Sequence, residues 1–307
     1  MTSKELPVVV VTGCGSGIGM ELAELLYNSD DFRVVVTARN HRLPTLREKF
    51  RENRRFRIRS LDVTNDENIY HLVHEICREW GRIDVIVNNA AVCYRGVVEH
   101  MDPDAELTQL QTNYLGPMTL VRAVIPIMRE QRIGQIINIS SASGFLAMPT
   151  MGSYSASKHA LEAATEALWY EARPFGIKVN LIELGCVNSE SFRNVVFANK
   201  ARMSMELAGP HSEYYRSMSP FIERLMNRSD ATPASVARKV LQVILNRPSD
   251  LRIFATLDAR VFNFVRRICP SFLFNRILFL ILPGSVKWGG RWKSEPSRLR
   301  RILRRIA

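Results

Sequence analysis

The chain has 307 residues, 46% apolar and 23% charged, a globular composition that excludes a disordered polymer. The length holds one large α/β domain with appendages, or two small domains. The net charge of +12 is unevenly placed: from Val261 onward eleven basic residues face the single acid Glu295, so ten of the twelve net positive charges lie in the tail. The body therefore lacks a basic face of its own, and nucleic acid is not an expected partner. The cysteines Cys14, Cys77, Cys93, Cys186 and Cys269 form no CxxC pair. That fits a reduced intracellular protein with neither a disulfide framework nor a metal site. The start, MTSKELPVVVVTG, enters a strand with no room for a signal peptide.

Pro7 to Thr12 is a β-branched apolar run, the pattern of a strand buried in a parallel sheet. It leads into Gly13-Cys14-Gly15-Ser16-Gly17-Ile18-Gly19 and then a helix-compatible MELAELLYN. Strand, glycine turn and helix form the context of a dinucleotide-binding turn. The glycines let the backbone approach a pyrophosphate, which sits where free N–H groups leave the helix N-terminus. The plainer alternative is a tight turn without a ligand.

Phe32 to Ala38 reads as the second strand and ends in Thr37-Ala38-Arg39. NAD-binding turns usually place an acid here to hold the ribose 2′-hydroxyl. A guanidinium instead suits a dianionic 2′-phosphate, so the expected cofactor is NADP(H). An Arg39 that simply faces solvent is the alternative.

A helix is expected over residues 42–52, a strand over 56–61 followed by Asp62-Val63-Thr64, and a helix over 66–80. Asp84 to Val87 forms the fourth strand, ending in Asn88-Asn89-Ala90-Ala91. A long helix over 103–130 carries Asn113, and the fifth strand, Gln135 to Ile139, delivers Ser140-Ser141 at its end. A helix reaches Arg173, the sixth strand spans Ile177 to Leu184, and a helix at 233–246 with a short strand near Leu251–Phe254 closes the pattern. This alternation predicts a Rossmann-type, doubly wound parallel sheet with helices on both faces, occupying residues 1–260.

Tyr154 and Lys158 are four apart in a segment free of Pro and Gly until Pro174, so they share one helix face. An ammonium beside a phenol favours the phenolate and lowers a pKa that is otherwise too high for proton exchange at neutral pH. The pair is a candidate general acid/base.

Taken together these stretches resemble the short-chain dehydrogenase/reductase family. The matches are TGCGSGIG (Thr12–Gly19), Asp62-Val63, NNAA (Asn88–Ala91), Asn113, Ser141 and YSASK ending at Lys158, in the family's order over about residues 6–255. Within the family the chain is most similar to the branch of vertebrate 17β-hydroxysteroid and photoreceptor retinol dehydrogenases. The resemblance implies that Tyr154 gives its proton to the substrate oxygen as hydride leaves the nicotinamide, and that Lys158 lowers the Tyr154 pKa and holds the nicotinamide ribose. It further implies that Ser141 donates to the carbonyl oxygen and that Asn113 holds a water linking Lys158 to solvent. On the cofactor side it implies Gly13, Gly17, Ile18 and Gly19 at the pyrophosphate, Asp62 with Val63 at the adenine, Asn89 on the adenosine-ribose side, and Val187 in the loop toward the nicotinamide.

Two departures from the family pattern stand out. Ala91 replaces a glycine, which is harmless unless φ is positive there. The segment Glu183-Leu184-Gly185-Cys186-Val187-Asn188-Ser189 lacks the family's proline and puts Ser189 near the place of a threonine that contacts the carboxamide. The resemblance also implies a homodimer formed through the helices at 103–130 and 153–173.

Residues 190–230 interrupt the α/β rhythm where a substrate lid would lie and are rich in apolar side chains, among them Phe192, Met203, Met218, Phe221 and Met226. Such a lining suits a bulky lipophilic substrate; packing beneath a small helical unit explains it equally well. The expected activity is NADP(H)-dependent interconversion of a lipophilic alcohol and its aldehyde or ketone, of retinoid, steroid or long-chain lipid type. A reductase of keto-acyl or keto-sphingoid lipids is the close rival, and a non-catalytic cofactor-binding scaffold the distant one.

The apolar run Ile277–Leu282 is far shorter than the ~20 residues of a spanning helix. With Arg266, Arg267 and Arg276 interleaved, it reads as an interfacial segment. Trp288 and Trp292 suit headgroup depth, and Leu299, Ile302, Leu303 and Ile306 recur opposite four arginines. Residues 261–307 are thus expected to form a hydrophobic-basic tail in peripheral membrane contact on the cytoplasmic side. Packing of the tail on its own domain and a dimer contact are the alternatives.

Overall fold

The computed structural model describes residues 5–189, 195–207 and 209–288. Seven parallel strands form the main sheet in the order β3-β2-β1-β4-β6-β7-β9. They are β1 (Val8–Val11), β2 (Arg33–Ala38), β3 (Phe56–Ser60), β4 (Val85–Asn88), β6 (Gly134–Ser141), β7 (Ile177–Leu184) and β9 (Arg252–Phe254). All four valines of β1 are buried because both faces are covered. Val9 and Val11 pack into one apolar layer and Val8 and Val10 into the other, as the two-residue period of a strand demands. The first layer receives α1 (Gly17–Tyr27), α2 (Leu43–Lys49) and α9 (Pro233–Asn246); the second receives α3 (Asp66–Trp80), α5 (Gly116–Gln131) and α6 (Gly152–Ala172). The strand order reverses between β1 and β4, which opens a crevice at the carboxyl ends of the strands.

The helix expected over 103–130 is divided. α4 (Pro103–Leu110) passes through a π turn, Gln111–Leu115, into α5. Pro117 has no N–H to give to the Asn113 carbonyl, so one α-helical bond is missing where the turn widens; a missing proline N–H does not by itself end a helix, since α5 runs on through Pro126. Asn113 therefore sits in the widened turn, a frequent feature of functional sites.

Beyond β7 the lid contains α7 (Asn199–Glu206) and α8 (Ser212–Asn227). Its short strand β8 (Val196–Phe197) pairs in parallel with β5 (Tyr94–Arg95). Its apolar residues divide between packing and the cleft. Tyr215 and Met218 are buried as packing, while Val195, Leu225 and Met226 line the crevice and Ile222 does both. Phe192 lies outside the described residues.

The tail adds α10 (Leu257–Ile268) and α11 (Ser271–Ile281). Phe274 and Leu282 are buried, but Phe264, Phe272, Leu280 and Ile281 are exposed. Trp288 is not free for a headgroup region. Its ring stacks on Tyr214 of the lid at 4.5 Å, and its Nε1–H donates to Ser217 Oγ at 2.9 Å. No described helix is long and apolar enough to cross a membrane. Trp292 and the stretch from Leu299 to Ile306 lie outside the described residues.

Candidate active site

One cleft of about 570 Å³ runs along the carboxyl ends of the strands. It is lined by Gly13, Gly17, Ile18, Arg39, Asp62, Val63, Asn89, Ser141, Tyr154, Lys158 and Val187, within the size range of small-molecule sites. Gly19 and Asn113 stand just behind its wall.

At one end, the glycine turn packs so closely on its neighbours that side chains at Gly13 and Gly19 would collide with them. Gly13 has φ +73°, and a Cβ there would lie 2.6 Å from Ala90 Cα; one on Gly19 would lie 2.4 Å from the Gly13 carbonyl oxygen. Ser16, the residue before α1, makes no side-chain cap, so the first N–H groups of that helix have no hydroxyl partner. This geometry fits the pyrophosphate of a dinucleotide. Asn89 supports the turn from behind, with Nδ2–H donating to the carbonyls of Thr12 and Gly13 at 3.0 and 3.1 Å. Asp62 Oδ1 accepts from the Thr64 backbone N–H and hydroxyl, which fixes its carboxylate at the mouth. Arg39 and Arg42 are both exposed there and make no ion pair among the described residues. Arg42 escaped the sequence reading, although it lies one helical turn past Arg39.

At the other end β6 delivers Ser141 as its last residue, and α6 brings Tyr154 and Lys158 to the same place. Lys158 is buried, and its Nζ donates to the Ile139 carbonyl at 2.9 Å. Burial pushes the Lys158 ammonium down to about 8, against the pull of the Glu162 carboxylate and of Cys93. Burial pushes the Tyr154 phenol up, the Cys93 thiol adds to this, and a hydrogen bond with Ser141 works against it. The lowering expected from Lys158 does not dominate, because Nζ is turned to Ile139 and lies 6.0 Å from the Tyr154 ring centroid.

Asn113 is buried, and its amide is spent on the scaffold. Oδ1 accepts from Val92 N–H at 2.9 Å, while Nδ2 donates to the Val92 carbonyl and to Ser157 Oγ at 2.9 and 3.0 Å. The side chain thus pins the loop after β4 to the helix that carries Tyr154.

Of the two departures, Ala91 brings no strain, since it lies outside the positive-φ region. The loop without proline is held from α10. Gly185 N–H donates to Thr256 Oγ1 at 2.8 Å, and Cys186 N–H to the Asp258 carboxylate at 2.7 Å. Asp258, Phe262 and Cys93 all line the cleft and were missed. Asp258 lies just before Val261, where the composition shifts, and Phe262 just after it.

Comparison with known proteins agrees with this geometry. The profile of the family described as short chain dehydrogenase matches residues 7–199. "Dehydrogenase/reductase SDR family member 7B" of Xenopus tropicalis is 30% identical over 281 residues, 87% of this chain and 83% of the relative. A "3-ketodihydrosphingosine reductase" of Bacteroides thetaiotaomicron is 32% identical over 247 residues, 80% and 86% of the two chains. Among solved structures, a short-chain dehydrogenase from Streptomyces avermitilis superposes with a TM-score of 0.70 at 30% identity, over 87% of this chain and 95% of that one. A serine dehydrogenase complexed with NADP+ reaches a TM-score of 0.64 at 25% identity, over 80% and 92%. A Burkholderia phymatum enzyme in complex with NAD shares the fold at 22% identity and a TM-score of 0.69, over 87% and 94%. With the glycine turn, the Ser141, Tyr154 and Lys158 cluster and the seven-stranded sheet in one chain, the protein belongs to the short-chain dehydrogenase/reductase family and is an oxidoreductase of the nicotinamide-dependent kind.

Proposed function

We propose that the protein interconverts a lipophilic alcohol and its aldehyde or ketone with NADP(H). The observation that carries this reading is the convergence of Ser141, Tyr154 and Lys158 on a cleft whose wall includes an apolar group of Leu146, Met148, Met151, Leu225, Met226 and Phe262. The bound cofactor supplies or accepts the hydride. Ser141 Oγ–H donates to the substrate oxygen, and Tyr154 delivers a proton to that same oxygen in reduction and removes it in oxidation. Lys158, whose Nζ donates to the Ile139 carbonyl and lies 6.0 Å from the Tyr154 ring centroid, turns toward the phenolate that forms in order to steady it. The preference for the 2′-phosphorylated cofactor rests on Arg39 and Arg42 at the cleft mouth, where neither is in an ion pair among the described residues.

A bulky apolar substrate is supported by the Met-rich wall and by the narrower likeness to retinol and 17β-hydroxysteroid dehydrogenases. A reductase of keto-sphingoid lipids is the second reading, favoured by the relative of that name. The exposed apolar side chains of α10 and α11 support peripheral membrane contact. Pairing of two copies through α5 and α6 rests on the resemblance.

The test is oxidation of NADPH, with NADH in parallel, against all-trans-retinal, steroid ketones, long-chain keto-lipids and small carbonyls. Turnover of a bulky carbonyl with NADPH preferred is the expected result. Tyr154→Phe should lower kcat by about 10²- to 10⁴-fold, the usual weight of a positioned acid, while NADPH still binds. Tight NADPH binding with no turnover of any carbonyl would leave only the scaffold reading.

A further inference from the structure

Arg95 lies beneath the lid and is only 2% exposed, yet it makes no ion pair among the described residues, and its Nε has no hydrogen-bond partner there. Burial pushes its pKa down, and Glu223 of α8 attracts it only from beyond ion-pair distance; burying a guanidinium without a carboxylate in direct contact opposes folding, so its place calls for a specific use. One Nη2–H donates to Thr150 Oγ1 at 3.0 Å. The next residue, Gly96, donates its N–H to the Thr150 carbonyl at 3.0 Å and forms a parallel bridge with Met151. Thr150 is itself 2% exposed and holds φ +69°, a left-handed conformation that a β-branched residue rarely adopts. Directly after it Met151 is the N-cap of α6, and its carbonyl accepts the Ser155 N–H of the first turn at 2.8 Å. Tyr154 stands in that turn.

The other side of Arg95 faces the lid. Its carbonyl accepts the Ala198 N–H at 2.9 Å, its strand pairs with β8, and its guanidinium lies over the Phe197 ring at 4.9 Å. Strain at Thr150, the entry of α6 and the base of the lid therefore meet on one side chain.

We propose that Arg95 is a positioning residue for Tyr154: by clasping Thr150 in its left-handed conformation and carrying β8 on the same residue, it sets the entry of α6 and ties that entry to the substrate lid. Without the clasp Thr150 relaxes toward negative φ and the first turn of α6 shifts. A displacement near 1 Å of a catalytic group costs about 10²-fold in rate.

The proposal rests on Tyr154 acting as the acid, and its test separates the two. In the full chain, Arg95→Met should lower kcat about 10- to 100-fold, with the NADPH dissociation constant, read by cofactor fluorescence, within about twofold of wild type. Adding Thr150→Gly to Arg95→Met should restore kcat to within about threefold of wild type, because glycine takes positive φ without penalty. A loss of packing alone would not be repaired by removing a side chain. Thr150→Val, which keeps the shape and deletes the acceptor, should match Arg95→Met and serves in its place should that variant fail to fold. A kcat within threefold of wild type in the Arg95→Met or Thr150→Val chain, or no rescue by glycine, overturns the clasp. Hydrogen exchange gives a readout that needs no substrate: amides 154–157 should exchange at least about tenfold faster in Arg95→Met, with β1 to β4 unchanged. Unchanged exchange also overturns the clasp. Faster exchange in a chain whose wild type turns over no carbonyl supports the clasp and refutes the oxidoreductase reading instead.

Discussion

The Asp258 carboxylate, at the start of α10, accepts the backbone N–H of Cys186 at 2.7 Å, and a Cβ on Gly185 would lie 2.2 Å from Asp258 Oδ1. A loop that lacks its family's proline is thus stiffened by a side chain from a distant helix, and only glycine lets that carboxylate approach. A hydrogen bond to a charged group is worth about 1.5–3 kcal/mol, and the bond here orders the wall beside Val187. Asp258→Ala should weaken NADPH binding roughly tenfold, read by fluorescence titration, and lower Tm by a few degrees. An unaltered dissociation constant would mean that Thr256 holds the loop by itself.

Arg39 and Arg42 differ from the other arginines near β2 and β3. Arg55, Arg57 and Arg59 are each engaged by a carboxylate, whereas these two face the cleft mouth unpaired among the described residues. Arg39→Ala should cut kcat/KM for NADPH by about tenfold or more, the weight of a charge-assisted phosphate contact, and leave that for NADH within about twofold. Equal losses with both cofactors would assign Arg39 to the shared adenosine instead.

Much of this was legible before any coordinates. All seven strands of the main sheet, the glycine turn and Ser141, Tyr154 and Lys158 follow from local pattern: valine runs, obligatory glycines and an i, i+4 pair each act over a few residues. What escaped depends on distance along the chain. Asp258 reaches a loop 72 residues earlier, and Arg95 reaches Thr150 across 55; no periodicity announces such contacts. The π turn at Asn113 has no signal that stands out from the apolar helical pattern: Pro117 removes one α-helical bond there, but Pro126 does the same inside α5 without such a turn. Trp288 was read from its residue type, which suits an interface, while its stacking on Tyr214 is a tertiary fact.

Glu183 gives a pH signature. It is buried beside Glu162, and both carboxylates bond Arg252, with Arg267 a more distant positive neighbour. Burial, with repulsion from Glu162, pushes Glu183 from 4.5 up to about 7, against the pull of Arg252. Between these two values the folded chain holds more protons than the unfolded one, so this residue makes stability fall as pH rises through the window. Glu183→Gln cannot lose that proton and should flatten the decline. Thermal melts at pH 5, 6, 7 and 8 should show the wild-type Tm dropping relative to the variant, by an amount equivalent to a few kcal/mol at most. Parallel curves for the two proteins would mean that Glu183 stays charged throughout the range.

The exposed face of α10 and α11 sets Phe264, Phe272, Leu280 and Ile281 near Arg266, Arg267 and Arg276 in sequence. Phe262 of the same α10 lines the cleft, so a surface that touched α10 would also lie near the substrate entrance. Each large side chain is worth about 1.5–3 kcal/mol when removed from water. Phe272→Glu together with Leu280→Glu should therefore weaken binding to vesicles of anionic phospholipid by at least about 100-fold in a sedimentation assay, and leave turnover of a water-soluble carbonyl unchanged. Binding by the wild type should also weaken as salt rises, because the arginines contribute a screened attraction. Wild-type chain that ignores vesicles but doubles in mass by light scattering, and returns to single copies in the double variant, would assign this face to a second copy instead. A lipid-docked face beside the cleft offers a membrane-dissolved substrate a path that avoids water, so the same double variant should raise KM for a vesicle-borne carbonyl while sparing kcat.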